Sequence, residues 1–302
     1  MTLNLKIKTA ASGLVLKDIL PPGLEQGMYD DAFRLQETDS STSAIVFDPK
    51  HIGRGINVEI SEDGVALGLL LPAGPAEVEL LYRILKRAMK KLGAGEFYKC
   101  GEIGSADGSA NGEKAQDAES AAAGAAVFAA EELETSKAED LEASGKALAE
   151  INEKLASEKN TVATLFSALN PITLSADDVA KMEGKIKKLQ EFLHEKQSEK
   201  AYYSAPQFFQ DPADGSFVGV YTIMHEMITI MPFEPALPFY MEGELDRWYV
   251  YVYISDEKFG YVKFDDFIKK APRNGLYDAT HFFCTLTEDM AEQLIKNYGN
   301  AV

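Results

Sequence analysis

Cysteine, tryptophan, histidine and positive charge are all scarce in this sequence. Its 302 residues include two cysteines, one tryptophan and four histidines, and 30 lysines and arginines face 48 aspartates and glutamates, for a formal charge of −18. Cys100 and Cys284 are too few for a disulfide scaffold; both are expected as buried thiols, with a single bridge left open. The acidic balance repels a phosphate backbone and an anionic bilayer alike, so neither nucleic acid nor a membrane surface is an expected partner. Long apolar runs are also missing. "VALGLLLPAG" is short, "AAAGAAVFAA" runs into glutamates, and the opening "MTLNLKIKTAASGLVLKDIL" has no uninterrupted apolar stretch of signal-peptide length before Lys17. The expected location is the cytoplasm.

Catalytic motifs are as scarce as cysteine. The sequence has no Gly-x-Ser-x-Gly elbow, no glycine-rich phosphate loop closing on Lys-Ser or Lys-Thr, and no Cys-x-x-Cys pair. "HEMIT", from His225, begins like a zinc-protease helix, but Thr229 stands where the second histidine belongs and the stretch reads as strand. "DGSANGEKAQDAE", from Asp107, has the early residues of a calcium loop, yet Ala118 occupies the position of the closing glutamate. "HIGRG", from His51, is similar to the Gly-Arg turn of phosphothreonine-binding forkhead-associated domains, but "SEDG" does not supply the downstream Ser-x-x-His, so a structural turn is expected. His281 and Cys284, three residues apart on a predicted strand, face opposite ways and make no catalytic pair. The acidic pairs Asp177–Asp178 and Asp265–Asp266 are explained as helix caps. No catalytic residue, metal ligand or cofactor site is assigned.

Three zones follow from charge and pattern. Residues 1–100 carry a net −1, 101–160 carry −9, 161–200 are neutral, and 201–302 carry −8. The first zone reads as strands ("LNLKIK", "SAIVF", "GINVEI", "VALGLLL") with a hairpin turn at "SEDG", followed by a helix from Pro75 to Gly93 that buries Val78, Leu81, Ile84, Leu85, Ala88 and Leu92. The second, 101–165, reads as an acidic flexible loop to about Ser120 and then an Ala/Glu-rich helical insert, "AAVFAAEELETSKAEDLEASGKALAEINEKL", with one narrow stripe of Leu141, Leu148, Ile151 and Leu155. The third, 166–302, opens with a capping box at Ser175 and Asp178 and one helix through "VAKMEGKIKKLQEFLHEKQSE". It continues with the strands "YYSAPQFF", "SFVGVYTIM", "WYVYVYIS" and "FGYVKF" and a closing helix from Thr287 to Gly299, and 21 of the 30 aromatic residues fall after residue 200.

The expected fold class is therefore α+β: a mixed, largely antiparallel sheet with packed helices, in two halves or as one continuous sheet, plus the acidic insert. The segments "RGINVEI", "LPAGPAEVELLYRILKR", "YYSAPQFFQDPADGSFVGVYTI" and the proline-studded "MPFEPALPFY" together resemble an uncharacterised bacterial family known only as a domain of unknown function. The likeness spans most of the chain apart from the acidic middle. It implies a bacterial, cytoplasmic α+β protein and brings no activity or catalytic residue with it.

The strand "WYVYVYIS" poses the functional question. Trp248, Val250, Val252 and Ile254 fall on one side and Tyr249, Tyr251 and Tyr253 on the other, so neither face is charged and the strand is expected to be central, its tyrosines under covering helices. The prolines at 232, 235 and 238 hold an extended segment carrying Phe233, Leu237, Phe239 and Tyr240, either a docking edge or a packed crossover. Missing motifs, strong acidity and clustered aromatics point to a non-enzymatic module for a basic protein partner, of immunity or inhibitor type, with Phe233, Leu237, Phe239, Tyr240, Trp248, Tyr249, Tyr251 and Tyr253 as candidate contacts. Two other readings stay open: an enzyme whose site joins distant residues near the tyrosine strand, and an assembly component pairing through the insert helix.

Overall fold

Alternation of apolar and polar residues builds the first sheet. In Ile56–Ser61, Ile56, Val58 and Ile60 are buried while Asn57, Glu59 and Ser61 are exposed, a period of two that only an extended strand sorts onto separate faces. The computed structural model describes residues 1–31, 33–100, 125–158, 161–210, 215–238, 241, 243, 245 and 247–300. It divides into two compact units, which in the described residues are 1–198 and 199–300. The division falls after the segment 166–198, which the pattern of the sequence groups with the C-terminal half.

The first unit contains β1 (Thr2–Ile7), α1 (Leu16–Ile19), β2 (Glu25–Tyr29), β3 (Leu35–Gln36), β4 (Ser43–Phe47), β5 (Ile56–Ser61), β6 (Gly64–Leu70), α2 (Pro75–Leu92), β7 (Glu96–Cys100), β8 (Ala126–Ala129), α3 (Leu133–Ser157), β9 (Ala163–Phe166), β10 (Pro171–Leu174), α4 (Ala176–Met182) and α5 (Ile186–Ser198). Eight of its strands, in the order β3-β2-β4-β5-β6-β1-β7-β8, form one sheet in which every pair is antiparallel. β9 and β10 make a separate hairpin. Leu5, Ile7, Val46, Val58, Leu67, Leu69 and Phe97 of the sheet share one core with Val78, Leu81, Ile84, Leu85 and Ala88 of α2, the helix face expected from its spacing. α2 also buries Leu80, Tyr82 and Met89, because α3 and α5 pack on it as well.

Three expectations are corrected here. "AVFA", expected at the head of the insert helix, is strand β8, paired with β7 so that Phe128 stacks on Phe97 at 5.4 Å; its alanines favour helix, and the cross-strand aromatic pair overrides them. The rest of the insert is helix α3, and it joins the first unit's core. Leu148 and Leu155 are buried, Leu141 packs on the core shared by α2 and the sheet, and Ile151 is half-buried, so the three leucines of the stripe are covered. A second stripe, Ser136, Asp140 and Ser144, is also buried. The Tyr82 hydroxyl lies 2.6 Å from both Ser136 Oγ and Asp140 Oδ2, Lys99 Nζ lies 2.8 Å from Asp140 Oδ1, and Ser144 Oγ accepts from Ala73 N and donates to Ala73 O. Burial is tolerated because these groups are hydrogen-bonded. Finally, the helix expected from Ser175 onward is two helices. Its capping box is present, with Asp178 N donating to Ser175 Oγ, but the chain breaks at Glu183 (φ 54°) and Gly184 (φ 69°), left-handed conformations no helix continues through.

The second unit contains β11 (Tyr202–Tyr203), β12 (Gln207–Gln210), β13 (Phe217–Met224), β14 (Thr229–Pro232), β15 (Trp248–Ser255), β16 (Lys258–Lys263), α6 (Phe264–Lys270), β17 (Gly275–Leu276), β18 (His281–Cys284), α7 (Glu288–Tyr298) and β19 (Gly299–Asn300). Strands β12-β13-β15-β16-β19 form one sheet and β11-β14-β18-β17 another, antiparallel except for the pairs β13/β15 and β11/β14. Tyr221, Ile223, Val250, Val252 and Val262 from the first sheet share a core with Met231, Phe282 and Cys284 from the second and with Phe264, Phe267, Ala291 and Leu294 from α6 and α7. The fold is α+β, as expected. Among the described residues no helix is long and apolar enough to cross a membrane.

Candidate functional site

β15 is central, between β13 and β16, and its two faces have different fates. Val250 and Val252 are fully buried in the core, whereas Tyr249, Tyr251 and Tyr253 are half-buried on the opposite face. The expectation that helices cover the tyrosines is corrected: among the described residues of this unit, α6 and α7 pack on the valine face, through Phe264, Phe267, Ala291 and Leu294. Valine is the better filler for a helix-covered surface, while a phenol can keep its hydroxyl in water.

The open face is an aromatic surface. Tyr251 pairs across the strands with Tyr261, ring centroids 5.0 Å apart, and Tyr253 pairs with Phe259, which is 47% exposed. Tyr251 also lies 6.2 Å from Tyr253 and 5.6 Å from Phe259, all three contacts tilted between 37° and 49°. At the hairpin end, the Tyr253 hydroxyl donates to Asp256 Oδ1 at 2.9 Å, and that bond holds the phenol above its ordinary range. Partial burial, with the neighbouring Tyr261 and Asp256, raises Tyr251 as well. Both phenols stay protonated at neutral pH and act as donors.

Of the remaining candidate contacts, Trp248 and Phe233 are placed elsewhere. Trp248 projects to the core side, stacked on Tyr221 at 5.8 Å, with its indole N–H donating to the Leu245 carbonyl. It lies flat there because Gly219 faces it; a Cβ at that position would sit 2.3 Å from the ring. Phe233 stacks on Phe282 at 5.1 Å under the Arg273 guanidinium. Leu237 is half-buried. Ala236 N donates to the Tyr221 hydroxyl, which donates in turn to Ala236 O; this phenol is pushed up to about 12 by burial. This part of the proline-studded segment is fastened to the core. Phe239 and Tyr240 lie outside the described residues.

A second constellation, invisible in the linear sequence, joins Asp278, His281 and Tyr203. Asp278 Oδ1 lies 3.0 Å from His281 Nδ1, and His281 Nε2 lies 3.0 Å from the Tyr203 hydroxyl, a carboxylate–imidazole–phenol chain across strands β11, β14 and β18. The same Asp278 oxygen accepts from Thr280 N at 2.8 Å and His281 N at 2.7 Å, so the carboxylate also closes the turn into β18. Phe282 and Cys284 point the other way, into the core, as the strand reading expects. Burial pushes the Cys284 thiol up to about 12.

The motifs set aside in the sequence fall into structural places. His225 and Glu226 occupy a turn rather than the expected strand, with Glu226 at φ 59°; the left-handed residue ends β13 before β14 begins. The calcium-loop candidate lies outside the described residues. In "HIGRG", Ile52 to Gly55 form a buried turn and His51 is exposed. Glu77, in the first turn of α2, accepts from the backbone N–H groups of Arg54, Gly55 and Gly74, and the Arg54 side chain donates to the carbonyls of Phe166, Leu71 and Pro72. Burial raises the Glu77 carboxyl and lowers Arg54 to about 10. A glutamate of the chain itself thus fills the anion-friendly start of α2.

Among the described residues no group of three or more His, Cys, Asp or Glu side chains is placed to hold a metal ion. No curated protein and no solved structure matches the chain. The match that does exist runs from residue 2 to residue 294, through the acidic middle that the resemblance had left out, and on it the chain belongs to the family described as Domain of unknown function (DUF4299).

Proposed function

We propose that this protein is a non-enzymatic binding module of the cytoplasm, and that its partner is a basic protein docked on the tyrosine face of the β12-β13-β15-β16-β19 sheet. The observation that carries the reading is the open cluster around Tyr251, set in a segment, residues 201–302, of net charge −8. Aromatic anchors with little rotamer entropy supply contact area, and the acidic surroundings steer a basic partner and disfavour an acidic one. The test is affinity capture from the native host at low and high salt, with wild type beside a Tyr251→Ala/Phe259→Ala double variant. One stoichiometric basic partner, weakened by salt and lost with the double variant, supports the reading. A partner retained by the variant, or none at low salt, counts against it.

One observation favours a second reading, an enzyme: the Asp278–His281–Tyr203 chain has the order of groups that orients a general base. A small-molecule ligand found by thermal shift, and lost on His281→Asn, would move the assignment there.

A further inference from the structure

Resting on the binding reading above, we infer that the tyrosine cluster is an arginine-recognition site, where a guanidinium of the partner lies over the Tyr251 ring and pairs with Asp256. Three observations lead there. The first is geometry: Tyr253, Phe259 and Tyr261 surround Tyr251 at 5.0 to 6.2 Å with tilted planes, so the half-buried tyrosines and the exposed Phe259 do not close on one another in a flat stack. Aromatic faces carry negative potential and attract cations.

The second is how the chain treats its other rings. Arg273 lies over Phe233 and Phe282, Lys99 over Phe128 and Lys8 over Tyr98, at 4.6 to 5.7 Å from the ring centres. Among the described residues no such cation lies over Tyr251, Tyr253, Phe259 or Tyr261. Of the two lysines of the same hairpin, Lys258 is held by Glu288 and Glu292 of α7, and Lys263 stands opposite Tyr249 at the far end of the tyrosine face, over none of these four rings. The third is Asp256, fixed at the edge of the cluster by the Tyr253 hydroxyl. A ring face with a carboxylate at its edge suits a planar, weakly hydrated guanidinium, which stacks and pairs at once. An ammonium, a compact and strongly hydrated charge, gains less.

The test uses the full chain and two probes of equal length and charge, deca-arginine and deca-lysine, measured by calorimetry at low and physiological salt. The expected result is about a tenfold preference for arginine, kept in Tyr251→Phe, which retains the ring face, and lost in Tyr251→Leu, with circular dichroism confirming the fold of each variant. Equal affinity for the two probes, or a preference that survives Tyr251→Leu, overturns the arginine site and leaves the basic-partner reading standing as general electrostatic attraction. Binding of neither probe also overturns it, and the capture experiment then decides the broader reading on its own.

Discussion

Tyr251 on β15 and Tyr261 on β16 face each other directly across the ladder, ring centroids 5.0 Å apart, while the next residue of β15, Val252, is fully buried on the opposite side. One strand therefore serves two purposes. Its valines close the core of the second unit, and its tyrosines make a surface.

That division predicts unequal stability costs. Val252→Ala removes buried methyl groups and should cost about 2 kcal/mol, whereas Tyr251→Ala loses cross-strand contacts on a half-buried face and should cost about 1 kcal/mol or less. Urea titrations of the two variants check this; equal large losses would mean the tyrosine face is packed as a core.

Glu77 should be among the costliest polar residues to remove. Glu77→Ala strands three buried N–H donors, those of Arg54, Gly55 and Gly74, and leaves a buried Arg54 without its nearby negative charge, for a loss of about 3 to 5 kcal/mol. Glu77→Gln keeps an acceptor oxygen and should lose clearly less. Thermal and urea denaturation of both variants give the comparison.

The two thiols should differ in reactivity. Cys284 is fully buried with its thiol pushed up to about 12, while Cys100 is half-buried. Only thiolate reacts. At pH 8 the native protein should therefore yield one thiol to a colorimetric disulfide reagent, with the second appearing only on unfolding; two thiols at similar native rates would contradict the placement of β18.

Glu183 supplies a pH test with a definite sign. Lys185 and Lys188, each 2.6 Å away, hold its carboxyl down at about 2, below its unfolded value near 4.5. A depressed carboxyl stabilises the fold above the unfolded value and loses that contribution as pH falls from about 4.5 through 2. Glu183→Gln should flatten the dependence of stability on pH in that window and leave the slope between pH 6 and 8 unchanged. The effect is small, since the site is at the surface.

Much of the fold was legible because local and tertiary preferences agree. β5 alternates cleanly, α2 has Pro75 at its start and Gly93 at its end, and the Ser175–Asp178 box caps α4. Legibility failed where long-range partners decide. β8 is strand because β7 offers it a ladder, and the Ser136–Asp140–Ser144 stripe is buried because Tyr82, Lys99 and Ala73 satisfy it. The tyrosine strand could be placed centrally from its residues alone, but which face the helices would cover depends on where α6 and α7 return. The Asp278–His281–Tyr203 chain was hidden for a similar reason. Its histidine and tyrosine are 78 residues apart and meet only through the pairing of β11 with β14 and of β14 with β18; the sole local signal was the Asp-x-x-His spacing, which by itself suggests only a turn.

The most direct test of the binding surface is hydroxyl-radical footprinting of the full chain with and without saturating deca-arginine. Protection concentrated at Tyr251, Tyr253, Phe259 and Tyr261, with exposed aromatic residues elsewhere such as Phe217 unchanged, is the predicted result. Protection spread along acidic α3 instead, with those four residues as reactive as before, would contradict it.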